Sequence, residues 1–530
     1  MFLRTRTRAW IGPAVVLVLC GIAARAHGLD YVVCSIDSPC GPRCAAVTGD
    51  FQGDGRTDLL VWNGQDVRVF LHSDGAFVRA GEPMVLPEGA RLFDAGDSDG
   101  DGTDEIVYLA AEGVFALSVD PGRRADARMW VGVACDLPGR YVGPADLVAD
   151  VDGNGRDDVW FVADDDLRVA LSPLPGQATA SQPLRLVRGD VRVEPDRMPF
   201  RVFLMDVDAD YENDLVCVTA DGLSVFRIEA SSGRFGSAGA WRLPFAPHLE
   251  EKDAREFADN RLEDVIWIED VTADGRPDLM LNSWSRGRVL LFAGSESFFD
   301  VQPVHSFEVG AVVTAIGTIP WRSFPRPAVV VSRFEMPGKI STALRLLTGR
   351  TVTATMSFLL FEPEGEGRAA YAAEPALVRT ARVSAGRGDR SRALPHRLFY
   401  TTRADFSGDG WGDLVTLGDS AEIEFYWARE KDEFAGRNRQ GVLTLFSRPD
   451  PDPMTADEFF EWSHRLILEQ VRFRDPDLRV AVPDPTGCTV LPEGIEDLNG
   501  DGWPDLLLRY LPVNDERPAR LVALLSRPAQ

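Results

Sequence analysis

A nine-residue acidic segment recurs seven times along this chain, and no other sequence feature limits the fold as strongly. Each copy follows the pattern D-x-[DNQST]-x-[DN]-G-x-x-[DE] and leads into an apolar run, although one copy lacks the glycine. Successive copies start 47, 53, 56, 64, 135 and 92 residues apart. Such self-similarity indicates one supersecondary unit used many times. The copies begin at Asp50, Asp97, Asp150, Asp206, Asp270, Asp405 and Asp497.

The long gap between Asp270 and Asp405 contains a further unit. Residues 312–334 repeat the same strand–loop–strand rhythm, but Pro320 stands where the first aspartate would be and Ala328 where the last would be. We therefore predict eight units, one of which has lost its acidic loop. Seven blades are the alternative.

The apolar runs after the loops predict short strands. In the first unit, residues 59–62 and 67–71 are apolar runs separated by an Asn-Gly turn signal. The runs after the loops are apolar on both faces, which is typical of strands covered on both sides. Four-stranded units at this period predict an all-β fold, a β-propeller. The last unit is one strand short, and residues 29–33 would complete it, because an unpaired sheet edge is a liability.

Oxygen ligands at fixed spacing predict metal binding by the loops. Ca²⁺ takes six to eight oxygens, and a nine-residue loop with side-chain oxygens at positions 1, 3, 5 and 9 and a carbonyl at position 7 can surround it. Mg²⁺ is the second choice because it demands stricter geometry, and zinc or iron would need histidine or cysteine. EF-hands are disfavoured because position 12 falls in a strand. The candidate ligands are Asp50, Gln52, Asp54, Asp58, Asp97, Asp99, Asp101, Glu105, Asp150, Asp152, Asn154, Asp158, Asp206, Asp208, Asp210, Asp214, Asp270, Thr272, Asp274, Asp278, Asp405, Ser407, Asp409, Asp413, Asp497, Asn499, Asp501 and Asp505.

These repeats resemble FG-GAP, or VCBS, repeats, the units of integrin α-subunit N-terminal propellers and of many secreted bacterial proteins. The resemblance runs from about residue 45 to the end of the chain and implies a propeller with several Ca²⁺ ions, each held between the first and second strands of a blade. It does not imply a single function. Tyr211, in place of the loop glycine, and the weaker ligands Gln52, Thr272 and Ser407 depart from the pattern and put their sites in doubt. The best sites are expected at Asp97, Asp150 and Asp497.

The N-terminus predicts a secretory signal. Arg4, Arg6 and Arg8 precede an apolar stretch that is too short to span a bilayer, and Ala24-Arg25-Ala26 matches a signal-peptidase site. We assign residues 1–26 to the signal, with a membrane anchor as the alternative, and residues 27–530 to one propeller domain. We expect a secreted, periplasmic or cell-surface protein with no membrane span after signal removal.

Two inserts interrupt the repeats. Residues 362–396 are rich in Gly, Ala and Arg and predict a flexible loop. Residues 448–480 open with alternating prolines, and the capping box 455–458 then predicts a helix to about residue 470, with Phe459, Trp462 and Leu466 on one face. This helix is expected on the propeller rim, and a lid over a binding site is the alternative.

Charge and motifs restrict the function. The net charge of −26 argues against nucleic-acid binding, which needs a basic surface. No GxSxG, HExxH, Walker or GxGxxG motif stands in a plausible context. The sequence therefore favours a non-catalytic, Ca²⁺-binding propeller that acts as a binding, adhesion or scaffold module for an unknown protein or polysaccharide. A polysaccharide lyase or glycoside hydrolase built on a Ca²⁺ propeller is the alternative.

Overall fold

A computed structural model gives the fold of most of the chain. It describes residues 29–40, 45–73, 75–119, 127–139, 142–172, 184–187, 200–210, 213–219, 222–229, 234–235, 241–249, 266–283, 286–296, 298–319, 326–335, 352–365, 367, 370–385, 400–401, 404–418, 421–431, 433–447, 454–485, 488–512 and 519–528. The expected signal segment, residues 1–26, lies outside the described residues.

The described residues form 38 strands and two helices. In chain order, the strands of the first half are β1 Leu29–Cys40, β2 Ala45–Gly49, β3 Asp58–Trp62, β4 Val67–Ser73, β5 Ala76–Met84, β6 Leu92–Gly96, β7 Glu105–Ala110, β8 Gly113–Leu117, β9 Ala127–Val131, β10 Gly143–Pro144, β11 Val148–Ala149, β12 Asp158–Ala163, β13 Asp166–Ala170, β14 Leu184–Val187, β15 Phe200–Met205, β16 Asp214–Thr219, β17 Gly222–Phe226, β18 Ile228–Glu229, β19 Arg234–Phe235 and β20 Trp241–Pro244. The remaining elements are β21 Ile266–Glu269, β22 Asp278–Ser283, β23 Arg288–Phe292, β24 Gly294–Ser295, β25 Phe298–Phe299, β26 His305–Glu308, β27 Val312–Ile319, β28 Ala328–Glu335, β29 Val352–Phe361, β30 Leu377–Ala385, β31 Tyr400–Thr401, β32 Leu414–Leu417, β33 Glu422–Tyr426, α1 Glu433–Ser447, β34 Met454–Thr455, α2 Ala456–Val471, β35 Leu478–Ala481, β36 Cys488–Glu496, β37 Asp505–Pro512 and β38 Ala519–Pro528.

Most of these strands belong to eight sheets of four or five strands, which we number in chain order. Within the described residues, sheet 1 has the order β2-β3-β4-β5, sheet 2 β10-β6-β7-β8-β9, sheet 3 β11-β12-β13-β14, sheet 4 β15-β16-β17-β20, sheet 5 β21-β22-β23-β26, sheet 6 β27-β28-β29-β30-β34, sheet 7 β31-β32-β33-β35 and sheet 8 β36-β37-β38-β1. In each sheet the four main strands form an antiparallel meander, as in sheet 1. The predicted all-β propeller fold is therefore confirmed. That all eight sheets are blades of one ring stays a prediction.

The same register places each acidic loop between the first two strands of its sheet. The residue before the loop pairs with the residue at position 9, as in Gly49 with Asp58 and Ala149 with Asp158. In sheet 6 the corresponding pair is Ile319 with Ala328. The segment 312–334 is therefore a repeat unit in register with the others, as its strand rhythm predicted.

The two ends of the chain meet in sheet 8. Strand β1 runs antiparallel to β38, with Leu29 opposite Pro528 and Ile36 opposite Leu521. Tyr31 extends from β1 to the neighbouring sheet, where its ring stacks on Phe425 at a centroid distance of 4.7 Å. The prediction that the N-terminal strand completes the last unit is confirmed.

Neighbouring sheets pack through shared apolar clusters. Leu59 and Val61 of sheet 1 share one cluster with Leu507 and Leu521 of sheet 8, so the first and last sheets are in contact. Similar clusters join sheets 1 to 2, 2 to 3, 3 to 4, 4 to 5, 5 to 6 and 7 to 8. Burial on both sides explains why strands such as β3 and β12 are apolar on both faces.

Sheets 6 and 7 are joined differently, through the two helices. Helix α1 places Val442, Leu443 and Phe446 against the cluster of sheet 6 that contains Leu360. Phe434 of α1, together with Leu468 and Val471 of α2, packs against sheet 7. The helix predicted in the insert 448–480 is α2, which packs with α1 between sheets 6 and 7; its place on the propeller rim stays a prediction.

Part of the insert 362–396, which was predicted as a flexible loop, is a β-strand. Strand β30 occupies residues 377–385 and pairs with β29 along nine residues. Its Gly- and Arg-rich part, residues 386–396, lies outside the described residues. In the part of the chain that the structure describes, no helix is long and apolar enough to cross a membrane.

Candidate metal centre

Each acidic loop folds around the side chain of its first aspartate. Asp50 Oδ1 accepts hydrogen bonds from the backbone N–H groups of Gly53 (2.7 Å) and Asp54 (3.2 Å), and Oδ2 accepts one from Gly55 (2.7 Å). A short acidic side chain that bonds the backbone ahead of it closes a tight turn. The same three bonds recur around Asp97, Asp405 and Asp497.

The turn needs left-handed backbone at two positions. Gly53 and Gly55, at positions 4 and 6, have φ values of 70° and 80°. Glycine adopts this region without steric cost, whereas other residues are strained there. Ala209 (φ 63°) and Ala273 (φ 58°) occupy position 4 in two other loops, so those loops hold the same shape with strain.

The acid at position 9 joins the loop to the sheet. Asp158 is fully buried and accepts hydrogen bonds from Val151 N–H (2.9 Å), inside the loop, and from Ser172 N–H (2.7 Å), just after the third strand. Equivalent pairs of bonds are made by Asp58, Asp278, Asp413 and Asp505. A buried carboxylate with such partners has a structural role whether or not a metal is present.

Burial also changes the proton affinity of this acid. Desolvation raises the pKa of Asp58 and Asp278 to about 6, and that of Glu105, Asp413 and Asp505 to about 7. Neighbouring loop acids, such as Asp405 beside Asp413, act in the same direction. A divalent cation would offset this repulsion and favour the charged form.

In three loops the carboxylates converge on one point. One oxygen from each of three acids lies within 4.8 Å of the others in the groups Asp97, Asp99 and Asp101; Asp150, Asp152 and Asp158; and Asp206, Asp208 and Asp210. Oxygens bound to one Ca²⁺ at about 2.3–2.6 Å lie at most about 5 Å apart, so these spacings fit a single ion. In the second loop, Asp99 Oδ1 is buried and has no hydrogen-bond partner in the described part of the chain. This hard oxygen set fits Ca²⁺.

The loops at Asp50, Asp270, Asp405 and Asp497 carry an amide or hydroxyl at position 3 instead of a third close acid. Gln52 Nε2 donates to Asp58 Oδ1 (3.2 Å), and Asn499 Nδ2 donates to Ser526 O (2.8 Å). The structure thus brings Asp206, Asp208 and Asp210 together despite Tyr211, whereas the Asp497 loop, expected among the best, has no carboxylate triad among the described residues.

Two arginines that the loop pattern does not predict reach these loops. Arg227 contacts Asp208 and lies 3.9 Å from Asp210, and its guanidinium also sits over the ring of Phe298 in β25. In the second loop, Arg128 lies 3.4 Å from Asp99. Both arginines come from later strands or turns of the same unit, so the loop pattern gives no signal for them. A fixed guanidinium supplies positive charge where a cation would bind.

The unit without an acidic loop is held by an arginine. Arg326 is buried and donates four hydrogen bonds of 2.6–3.1 Å to backbone carbonyls of residues 364, 365, 367 and 370. The Tyr371 hydroxyl lies 2.9 Å from the carbonyl of Val271, in the preceding loop, and 3.0 Å from that of Pro327. The Tyr371 side chain of the insert thus connects the acidic loop of sheet 5 to the loop of sheet 6, which lacks the acids.

Comparisons with known proteins support the repeat assignment locally. Residues 50–108, which contain the first two acidic loops, match the FG-GAP-like repeat family. A comparison with curated protein sequences gives no match.

Among the solved structures that align with the chain are three of low similarity to it. A lectin of Agrocybe aegerita that recognises non-reducing terminal N-acetylglucosamine is 16% identical over 55% of this chain and 76% of its own, with a TM-score of 0.33. BBS1N, solved in complex with ARL6DN, is 10% identical over 94% and 98%, with a TM-score of 0.34. The periplasmic gluconolactonase PpgL of Pseudomonas aeruginosa is 16% identical over 50% and 70%, with a TM-score of 0.29. These TM-scores are too low to inform the function of this chain.

Proposed function

We propose that this protein is a secreted, non-catalytic binding module whose β-propeller is stabilised by several Ca²⁺ ions. The observation that carries the proposal is the convergence of three carboxylates in each of three loops, within a loop register shared by seven units. Ions held there would tie the first two strands of a sheet together. A calcium-stiffened ring of sheets is suited to presenting a constant surface to a partner.

The chemistry of the loops supports a structural role for the metal. The acids at positions 1 and 9 already accept several backbone N–H groups, so their orientation is fixed before any ion binds. Preorganised oxygens favour a hard cation that needs no redox change. The strongly negative chain, at −26, would also lose much of its self-repulsion when Ca²⁺ binds.

The partner we propose is a polysaccharide or a protein, met outside the cytoplasm after removal of residues 1–26. Extracellular modules bind Ca²⁺ with dissociation constants of about 10⁻⁴–10⁻³ M, so millimolar calcium would keep weak loops filled. The family match at residues 50–108 supports a repeat module and leaves the partner open.

The test combines binding and turnover in one assay. The secreted chain is incubated with a panel of uronate-containing and neutral polysaccharides in millimolar Ca²⁺ and, separately, in chelator. Retention of intact polysaccharide in Ca²⁺, lost in chelator, is the expected result. Shortened polysaccharide chains would overturn the non-catalytic proposal and favour the lyase or hydrolase alternative. If nothing is retained or shortened, a glycan partner is rejected.

A further inference from the structure

Position 8 of the acidic loops, which has no place in the ligand pattern, connects one unit to the next. In the second loop this residue is Asp104, which is buried. Its backbone N–H donates to the carbonyl of Asp50, the first residue of the first loop, at 2.7 Å. Its Oδ2 accepts the backbone N–H of the same Asp50, also at 2.7 Å. Asp104 therefore forms hydrogen bonds with both the backbone N–H and the backbone carbonyl of Asp50, a candidate calcium ligand in the preceding unit.

The third loop repeats this two-bond clamp. The N–H of Asp157 donates to the carbonyl of Asp97 at 3.1 Å, and Asp157 Oδ2 accepts the N–H of Asp97 at 2.8 Å. Because the same geometry occurs in two successive units, the contact recurs with the repeat.

A glycine in the preceding unit makes room for each clamp. A Cβ on Gly49 would lie 2.8 Å from Asp104 Oδ2, and a Cβ on Gly96 would lie 2.8 Å from Asp157 Oδ2. Both distances are too short for a methyl group beside a carboxylate oxygen. These two loops alone are preceded by glycine. The other units, whose successors carry no Asp at position 8, have Ala149, Met205, Glu269, Ile319, Ala404 and Glu496 there.

A weaker version of the contact crosses the junction of the chain ends. Thr57, at position 8 of the first loop, donates through Oγ1 to the carbonyl of Asp497 at 3.3 Å. The acidic loops of sheets 8, 1, 2 and 3 thus form one connected series. In the loops of sheets 5, 7 and 8, position 8 is Pro277, Gly412 or Pro504, none of which has a side chain that can make such a bond.

We infer that Asp104 and Asp157 are positioning residues for the calcium sites of the preceding units, which rests on the proposed calcium-binding function. Each holds the main chain of the first ligand, Asp50 or Asp97, while the loop's own N–H groups hold that ligand's carboxylate. The affinity of these two sites therefore depends on the neighbouring unit. Residues that orient a metal ligand in this way typically contribute 10–100-fold to metal affinity.

The test uses Asp104→Ala in the full secreted chain, with Asn213→Ala as the matched control. Asn213 is also at position 8, but its side chain is exposed. Calcium binding is measured by equilibrium dialysis at the free Ca²⁺ concentration that half-saturates the wild type. We expect Asp104→Ala to lower the affinity of one site about 10-fold or more, and Asn213→Ala to leave binding unchanged.

A second variant separates positioning from general stability. Asp54→Ala removes a ligand of the first loop, so Asp104→Ala should cause no further loss of bound Ca²⁺ in that background. Asp104→Asn keeps the shape of the side chain and one acceptor oxygen, so this variant should retain part of the Ca²⁺ affinity. It also provides a test if Asp104→Ala does not fold.

The outcomes distinguish this inference from the function beneath it. Equal Ca²⁺ binding by wild type, Asp104→Ala and Asp104→Asn would overturn the positioning role, as would additive losses for Asp54→Ala and Asp104→Ala. A wild-type protein that binds no Ca²⁺ would instead reject the proposed function.

Discussion

Single residues in these loops have different roles in folding and in the proposed metal binding. Position 2 is a buried apolar or small residue, such as Phe51 or Val151, which anchors the loop in the core. Position 9 is a buried carboxylate that accepts backbone N–H groups from the loop and from the residue after the third strand, as Asp158 does from Val151 and Ser172. Position 3 is buried or half-buried in most loops, and Asp99 Oδ1 there has no hydrogen-bond partner among the described residues, whereas position 5 is exposed at Asp54 and Asp101. These two positions would therefore gain most from an ion.

Asp158→Ala should destabilise the protein even without calcium. The change leaves Val151 N–H and Ser172 N–H without their acceptor in the interior, and each unsatisfied buried donor costs about 1–3 kcal/mol. We expect the free energy of unfolding to fall by about 3 kcal/mol. Urea unfolding of metal-free protein measures this, with the exposed Glu88→Ala as control. Equal midpoints for both variants would contradict the structural role of position 9.

Arg227→Ala should strengthen calcium binding in the fourth loop. The guanidinium contacts Asp208 and lies near Asp210, so it competes with an ion for the same carboxylates. Without the guanidinium, the negative charges of Asp206, Asp208 and Asp210 are offset less. We therefore expect the affinity of the fourth loop for Ca²⁺ to rise. Calorimetric titration with Ca²⁺ measures the change, and Arg79→Ala, whose partner Glu82 is outside the loops, is the control. Unchanged or weaker binding would show that Arg227 supports the loop instead of competing.

At the scale of secondary-structure elements, the sequence predicted the repeating parts and missed the contacts between them. Apolar runs predicted the strands after each loop and the unit without an acidic loop. The missing strand of the last unit predicted the pairing of β1 with β38. Helix α1 was not predicted, because its sequence is polar and contains Gly436 and Gly441. The clamp by Asp104 and the Arg326 contacts join residues far apart in sequence, which no local pattern reveals.

The loops should give metal-free protein an unusual pH dependence. Burial raises the pKa of Asp58 to about 6 and of Asp505 to about 7, above the value in the unfolded chain, so the native state binds protons more tightly. This contribution to stability is complete below about pH 4 and is lost as the pH rises through 6 to 7. Metal-stripped protein should therefore melt at a higher temperature at pH 5 than at pH 7.5.

Calcium should reduce or reverse that difference, because only the deprotonated carboxylates bind the ion. Thermal melts at both pH values, with and without Ca²⁺ and at fixed ionic strength, make the comparison. If the metal-stripped protein is more stable at pH 7.5 than at pH 5, the buried loop acids do not control its stability.

Strand β1 should be essential to the junction of the chain ends. Tyr31 is buried, stacks on Phe425 of sheet 7 and approaches the carbonyl of Pro504. Replacing a buried aromatic residue by alanine costs about 3–5 kcal/mol, so Tyr31→Ala should lower the free energy of unfolding by that amount. Urea unfolding in saturating Ca²⁺ tests this, with Val78→Ala, on an exposed position of β5, as control. A loss no larger than that of the control would contradict the packing of β1 across two sheets.

At the scale of the whole molecule, the sheets depend on one another through three kinds of contact. Apolar clusters join most neighbouring sheets, the helices α1 and α2 lie between sheets 6 and 7, and the acidic loops of sheets 8, 1, 2 and 3 are linked by position 8. Calcium would strengthen the loop side of this arrangement. Each ion that binds only the native state adds about 2.7 kcal/mol at a hundredfold excess over its dissociation constant.

The most direct test is the number of calcium ions bound per chain, measured by equilibrium dialysis of the secreted protein at millimolar free Ca²⁺, with thermal melts on the same samples. The three carboxylate triads predict at least three ions, together with a melting temperature several degrees higher than in chelator. Two ions or fewer, with a melting temperature that does not change on chelation, would contradict the account and leave the acidic loops as solvated turns.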